Sequence, residues 1–127
     1  MVPELVHVVK QDGDLPDCAV AAVAMLCGVT YGEALAAFPE PDRVVKAGAY
    51  LTDMQDAAAK LKINTRVRRR FKLDVDTGIL YLAGKTENHV AFLWAGRVVD
   101  GDGACWLTPK TYLKTRGYKA KALLVIE

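Results

Sequence analysis

Residues 11 to 26, "QDGDLPDCAVAAVAML", pass at Cys18 from polar turn residues into a small, apolar helix. The thiol sits at the change itself. The first turn of a helix presents N–H groups without intrahelical partners and a partial positive charge. A thiolate there is stabilised, so its pKa is expected to fall and the sulfur to become a nucleophile. A small core residue would satisfy the same position, because free cysteine packs as a small hydrophobe. Cys27 lies near the other end of this helix, where the dipole opposes a thiolate. Cys105, beside Trp106 in an apparent strand, reads as a packing residue.

A nucleophilic thiol needs a base, and the chain has two histidines. His7 in "LVHVV" has apolar neighbours on both sides and reads as structural or surface. His89 in "ENHVAFLW" opens an apolar strand and is the better-placed base. The spacing predicts a two-residue turn at Ala95 and Gly96. Trp94 would then face Arg97, Leu93 would face Val98, Ala91 would face Asp100 and His89 would face Asp102. Side chains alternate along strands, so His89, Asp100 and Asp102 fall on one face, with Asp100 a diagonal neighbour of His89. A carboxylate beside an imidazole fixes its tautomer and stabilises its cation. Gly101 and Gly103 flank Asp102 and favour a turn there, whereas Asp100 follows two valines and should still be held in the sheet.

Acyl transfer to a thiol builds negative charge on the substrate carbonyl oxygen, and donors must point at it. Gln11, seven residues before Cys18, can return its amide to that place through the intervening turn. The backbone N–H of Cys18 would be the second donor.

These residues need a scaffold. Residues 5–9 read as a short strand, and Gly13 and Pro16 mark a turn. Asp17 is an N-cap for a helix from Cys18 to Cys27, which Gly28 stops. Thr30 and Glu33 form a capping box for a second helix ending near Pro39. "PEPDR" reads as a loop. Thr52 and Gln55 repeat the capping pattern for a third helix, "DMQDAAAKLK". "NTRVRRR" alternates as a strand, placing Arg66, Arg68 and Arg70 on one face, and "DTGILYLAG" turns into an apolar strand. After the hairpin, Thr108 with Pro109 starts a short helix, and "YKAKALLVIE" closes the sheet. Helices first and then mostly strands predict an α+β fold with an antiparallel sheet.

A chain of 127 residues suits a single domain, and 52% hydrophobic content is globular composition rather than disorder. The longest apolar run, 19–29, is too short for a bilayer. The N-terminus "MVPELVHVVK" lacks the basic flank and long apolar stretch of a signal peptide, so a cytoplasmic location is expected. Three cysteines with no CxxC pair argue against a disulfide framework and a zinc site. The net charge is only +2, and much of the basic excess lies in "RVRRRFK". Nucleic-acid binding is thus permitted but not demanded.

Gln11, the short turn and "DCAVAAVAML" resemble the start of the bacteriocin-processing peptidases, papain-like cysteine proteases that cut leader peptides after a double glycine. "LTDMQDAAAKLKI" is similar to that family's middle helix. "GILYLAG" and "HVAFLWAGRVVDGDG" are similar to its strand, its histidine strand and a hairpin ending in aspartate. "WLTPKTYLKTRGYKAKALLVI" resembles its closing segment. The resemblance implies a papain-like fold over residues 1–127, with Cys18 as nucleophile, His89 as general base, Asp100 orienting His89 and Gln11 lining the oxyanion hole. Ala19 stands where members usually have glycine, and Gly101 where proline usually follows the aspartate. Family members are usually fused to a transporter, of which these residues hold none.

The expected function is a cysteine peptidase, or a related thiol acyl-transfer hydrolase such as a deamidase, acting on a peptide or protein with no metal or organic cofactor. The alternative is a non-catalytic binding module on the same fold, using the basic strand for nucleic acid or a protein partner. Basic protection of a sheet edge accounts for that strand equally well, and nucleic acid is not the expected partner.

Overall fold

The structure is a computed structural model and describes residues 18–47, 49–85, 88–101 and 104–127. The strand expected at 5–9 lies outside the described residues, as do His7, Gln11, Asp17 and Asp102. The chain runs through helices α1 (Cys18–Cys27), α2 (Tyr31–Ala37), α3 (Pro41–Ala47) and α4 (Leu51–Lys60). Strands β1 (Thr65–Arg68), β2 (Gly78–Ala83), β3 (Asn88–Trp94), β4 (Arg97–Val99) and β5 (Cys105–Trp106) follow, then helix α5 (Pro109–Arg116) and strand β6 (Lys119–Ile126). The strands form one sheet in the order β1-β6-β2-β3-β4-β5, with every ladder antiparallel. This is the α+β arrangement that helices-then-strands order predicts.

Helix α1 is buried from Ala19 through Leu26. A helix that is apolar all round belongs inside the core, and α1 packs against β3 and β2. Gly28 ends it with φ +69°, a conformation that glycine adopts without steric cost. The capping box of α2 forms as expected. The Glu33 N–H donates to Thr30 Oγ1 and the Thr30 N–H to Glu33 Oε1, both at 3.1 Å.

Two helical expectations need correction. "PEPDR" is not all loop, because α3 begins at Pro41. Proline is tolerated in a first helical turn, where its missing N–H would have had no intrahelical partner, and Val44 buries fully behind it. Helix α4 starts at Leu51 with Tyr50, not Thr52, at the N-cap. The Tyr50 N–H donates to Asp53 Oδ2 at 2.9 Å, and Arg43 Nη2 donates to the same oxygen at 3.0 Å. One carboxylate therefore caps α4 and ties α3 to it, a task the Thr52–Gln55 pattern could not reveal.

Both faces of the sheet are covered, which explains the unbroken apolar runs in β2 and β3. Ile79, Val90, Phe92, Val99 and Leu124 pack under α1, α2 and α4. Leu80, Leu82, Ala91, Leu93, Val98 and Leu123 form the second face with Tyr112 of α5, and Phe71 and Leu73 pack against its side. The chain leaves β1 after Arg68 to deliver those two side chains, so the strand expected through Arg70 stops two residues early. Arg66, Arg68, Arg69 and Arg70 are all exposed.

The β3–β4 hairpin pairs Trp94 with Arg97, Leu93 with Val98 and Phe92 with Val99, which is the predicted register. Ala95 and Gly96 have φ +45° and +86°, the positive values a two-residue hairpin turn requires. The ladder does not continue to an Ala91–Asp100 pair. Asp100 lies one residue past β4, and its N–H donates instead to the Ala104 carbonyl at 3.0 Å as the chain turns back toward β5. Cys105 in β5 is exposed, so it is not the packing residue expected.

Candidate active site

Cys18 is the first residue of α1 and is partly exposed. His89 is the second residue of β3, opposite Leu82 of β2. Alternation along β3 places it on the second face of the sheet with Ala91 and Leu93, the face that α5 covers. The Cys18 side chain is close enough to the ring to favour its charged form. The ring's bond to the carboxylate is short: Nε2 lies 2.7 Å from Asp100 Oδ1. With Nε2 committed to the carboxylate, Nδ1 is the nitrogen left for the thiol. The structure thus brings Cys18, His89 and Asp100 together, although the thiol and the imidazole are 71 positions apart in sequence.

Asp100 is only 3% exposed, and a buried carboxylate must be satisfied. Oδ1 also accepts the Gly101 N–H at 2.7 Å, and Oδ2 accepts the Tyr112 hydroxyl at 3.0 Å. The Arg116 guanidinium stands 3.8 Å from Oδ2. Burial by itself pushes the Asp100 carboxyl up. The His89 bond and charge, the Gly101 amide and Tyr112 together hold it below its ordinary range. The Tyr112 phenol is driven far up by burial and by the neighbouring Asp100 charge, so it stays protonated and serves as a donor.

His89 responds in the complementary direction. Its side chain is 19% exposed, and burial alone would favour the neutral ring. Hydrogen bonds and charges from Asp100 and Cys18 outweigh that and raise it to about 10. This favours the imidazolium at neutral pH, with the Asp100 carboxylate as its counter-charge. Tyr118 stacks on the ring, with ring centroids 5.3 Å apart and planes at 11°, which restrains the orientation that the bond to Asp100 requires.

Helix α5 supplies what the sequence reading missed. Tyr112 and Arg116 are four residues apart and so lie on one helical face. Trp106 of β5 meets Tyr112 edge-on at 5.5 Å, and Arg116 lies over the Trp106 ring at 5.5 Å. That spacing is visible in "TYLKTRGY", but nothing local says that Asp100 is the group it serves. Among the described residues, Cys27 has no such company. Burial pushes its thiol up to about 11, away from the reactive range. Among the described residues, no group of three or more His, Cys, Asp or Glu side chains is placed to hold a metal ion, and no single helix is long and apolar enough to cross a membrane.

In comparisons with known proteins, no family model, no curated protein and no solved structure matches the chain.

Proposed function

We propose that this protein is a cysteine-dependent amide hydrolase of the papain-like type, similar in its residues to the double-glycine leader peptidases, with a peptide or protein as substrate. The observation that carries the reading is the partly buried His89 ring, 2.7 Å from the Asp100 carboxylate and beside the Cys18 side chain, which both favour its charged form. An imidazolium facing a thiol favours the thiolate, the form that attacks carbonyl carbon.

The chemistry follows from that pair. Cys18 Sγ adds to the carbonyl carbon, and the oxygen takes up negative charge. The Cys18 N–H at the start of α1 and the Gln11 side-chain amide are the assigned donors to that oxygen. His89 gives its proton to the leaving nitrogen as the C–N bond breaks, and an amine departs. The neutral ring then takes a proton from water as its oxygen attacks the thioester. Thiolate and carboxylic acid separate, and the imidazolium is restored. Asp100 keeps the ring in place and compensates its charge throughout. A side-chain amide would pass through the same steps, releasing ammonia.

The direct test is thiol labelling. Iodoacetamide near neutral pH is expected to modify Cys18 well before Cys27 and Cys105 in the folded protein, with the modified residue mapped by mass spectrometry. Cys105 is the critical comparison because it is exposed. Equal rates, or a preference for Cys105, would remove Cys18 from the nucleophile role. A screen of peptides with and without a double glycine would then address the substrate.

A further inference from the structure

A cavity of about 330 Å³ opens beside the proposed site, and its chemistry is cationic. Lys85, Lys114 and Arg116 line it together with Tyr118, and among the described residues no acidic side chain does. Thr115 also lines it, as do Gly84 and Gly117, which have no side chains of their own. Three elements meet there. Lys85 follows the end of β2, whose Ala83 pairs with Asn88 at the start of the His89 strand. Lys114 and Arg116 belong to the last turn of α5. Tyr118 links the cavity to the chemistry, because the same ring stacks on His89.

Among the described residues the charged side chains that line the cavity are all cationic, and the neighbouring Asp100 carboxylate is already shared by His89 and Arg116. Lys85 and Lys114 are both exposed. The carbonyl end of α5 offsets roughly half a charge, which leaves the cavity positive. Its link to the reaction is the proton. His89 must deliver that proton to the leaving nitrogen, so the leaving part of the substrate passes beside His89, on whose ring the cavity's Tyr118 stacks.

We infer that the cavity is a subsite for a carboxylate carried on the amine side of the scissile bond, so that the preferred substrates are acidic there. This rests on the hydrolase reading for its link to catalysis, though not for the binding itself. The carboxylate can belong to an acidic side chain or to a free C-terminus. Lys85 and Lys114 attract it through the solvent, and Arg116, already beside Asp100, closes the charged end of the site.

The test compares two alkylating reagents on Cys18: N-iodoacetylglutamate and the neutral N-iodoacetylglutamine amide. The anionic reagent is expected to react faster, on the order of tenfold at low salt, with the advantage shrinking as salt screens it. In a Lys85→Ala/Lys114→Ala variant the ratio of the two rates should collapse. It should persist in Lys60→Ala, which removes a lysine from α4 on the other face of the sheet. A double variant that keeps the wild-type ratio would overturn the subsite. Titration with N-acetylglutamate, followed by amide NMR, reads binding without any alkylation. Shifts centred on Gly84, Gly117 and Tyr118, absent from the double variant, are expected; no shift there would overturn the inference. An inert Cys18 would count against the hydrolase reading instead, and the titration then decides the subsite alone. Peptides ending in a free carboxylate, set against amidated peptides with an internal glutamate, separate the two sources of the charge.

Discussion

Asp100 carries its charge where a lone charge would be costly, and its four neighbours make the charge sustainable. Removing the carboxylate leaves the Tyr112 hydroxyl and the His89 ring without their acceptor. Asp100→Ala is therefore expected to lower turnover by on the order of 10³ or more, and to slow Cys18 alkylation near neutral pH because the imidazolium loses its main support. Tyr112→Phe takes away one donor and leaves the other contacts, so its effect on alkylation should have the same direction and be clearly smaller. Rates of iodoacetamide labelling across pH, with circular dichroism to confirm folding, check both. A Tyr112→Phe protein that loses as much reactivity as Asp100→Ala would mean that the ring position, not the carboxylate charge, governs Cys18. Asp100 was legible because hairpin spacing and alternation put it on the face of His89. Its real contact is closer than a diagonal pair would give, since the chain leaves the ladder at Val99 and turns the carboxylate inward. Tyr112, Arg116 and Tyr118 were not legible as site residues, because their partners lie across a tertiary contact that no local pattern encodes.

Among the elements, the hairpin does the positioning and its turn is the most sequence-determined part. Gly96 has φ +86°, and a Cβ there would run into the Asp74 carbonyl oxygen. Gly96→Ala should cost about 1–2 kcal/mol from the left-handed backbone alone, with the steric conflict added. Ala95, exposed at φ +45° with its N–H donating to Thr77 Oγ1 at 3.0 Å, is already strained. Ala95→Asn should leave stability unchanged or raise it by up to about 1 kcal/mol, since asparagine tolerates this conformation better. Denaturant unfolding of the two variants measures the contrast; destabilisation of similar size in both would refute the turn geometry. The same local logic found α1, α2, α5 and the hairpin register. It failed at α3, whose seven residues carry too short a pattern, and at the start of α4, where the capping group works through Asp53 and also answers Arg43. Short elements held by side chains from neighbouring elements are set by packing, and their limits are not written in their own residues.

For the molecule as a whole, the His89–Asp100 pair makes stability depend on pH in a way that can be separated from the rest of the fold. His89 is raised from 6.5 to about 10, so the folded state holds a proton that the unfolded chain gives up. Its contribution is fully present below about pH 6.5 and is lost as pH rises through about 10. Asp100 is lowered from 3.8, so its contribution is present above that value and is lost as pH falls through its folded value. The two overlap between about pH 4 and 6.5, and there the pair supports the fold most. The difference in unfolding free energy between the wild type and Asp100→Asn should therefore be largest in that window. Between pH 6.5 and 10 it should decline, with a slope of at most about 1.4 kcal/mol per pH unit for one proton. Below pH 4 it should decline again as Asp100 protonates. Using the difference removes the background of other titrating groups, which both proteins share, and Asn keeps the volume of the buried side chain. Urea unfolding at a series of pH values provides the measurement. A difference that stays flat from pH 6.5 to 10 would show that Asp100 does not hold His89 charged. The proton that the proposed reaction passes to the leaving amine would then have no resting place.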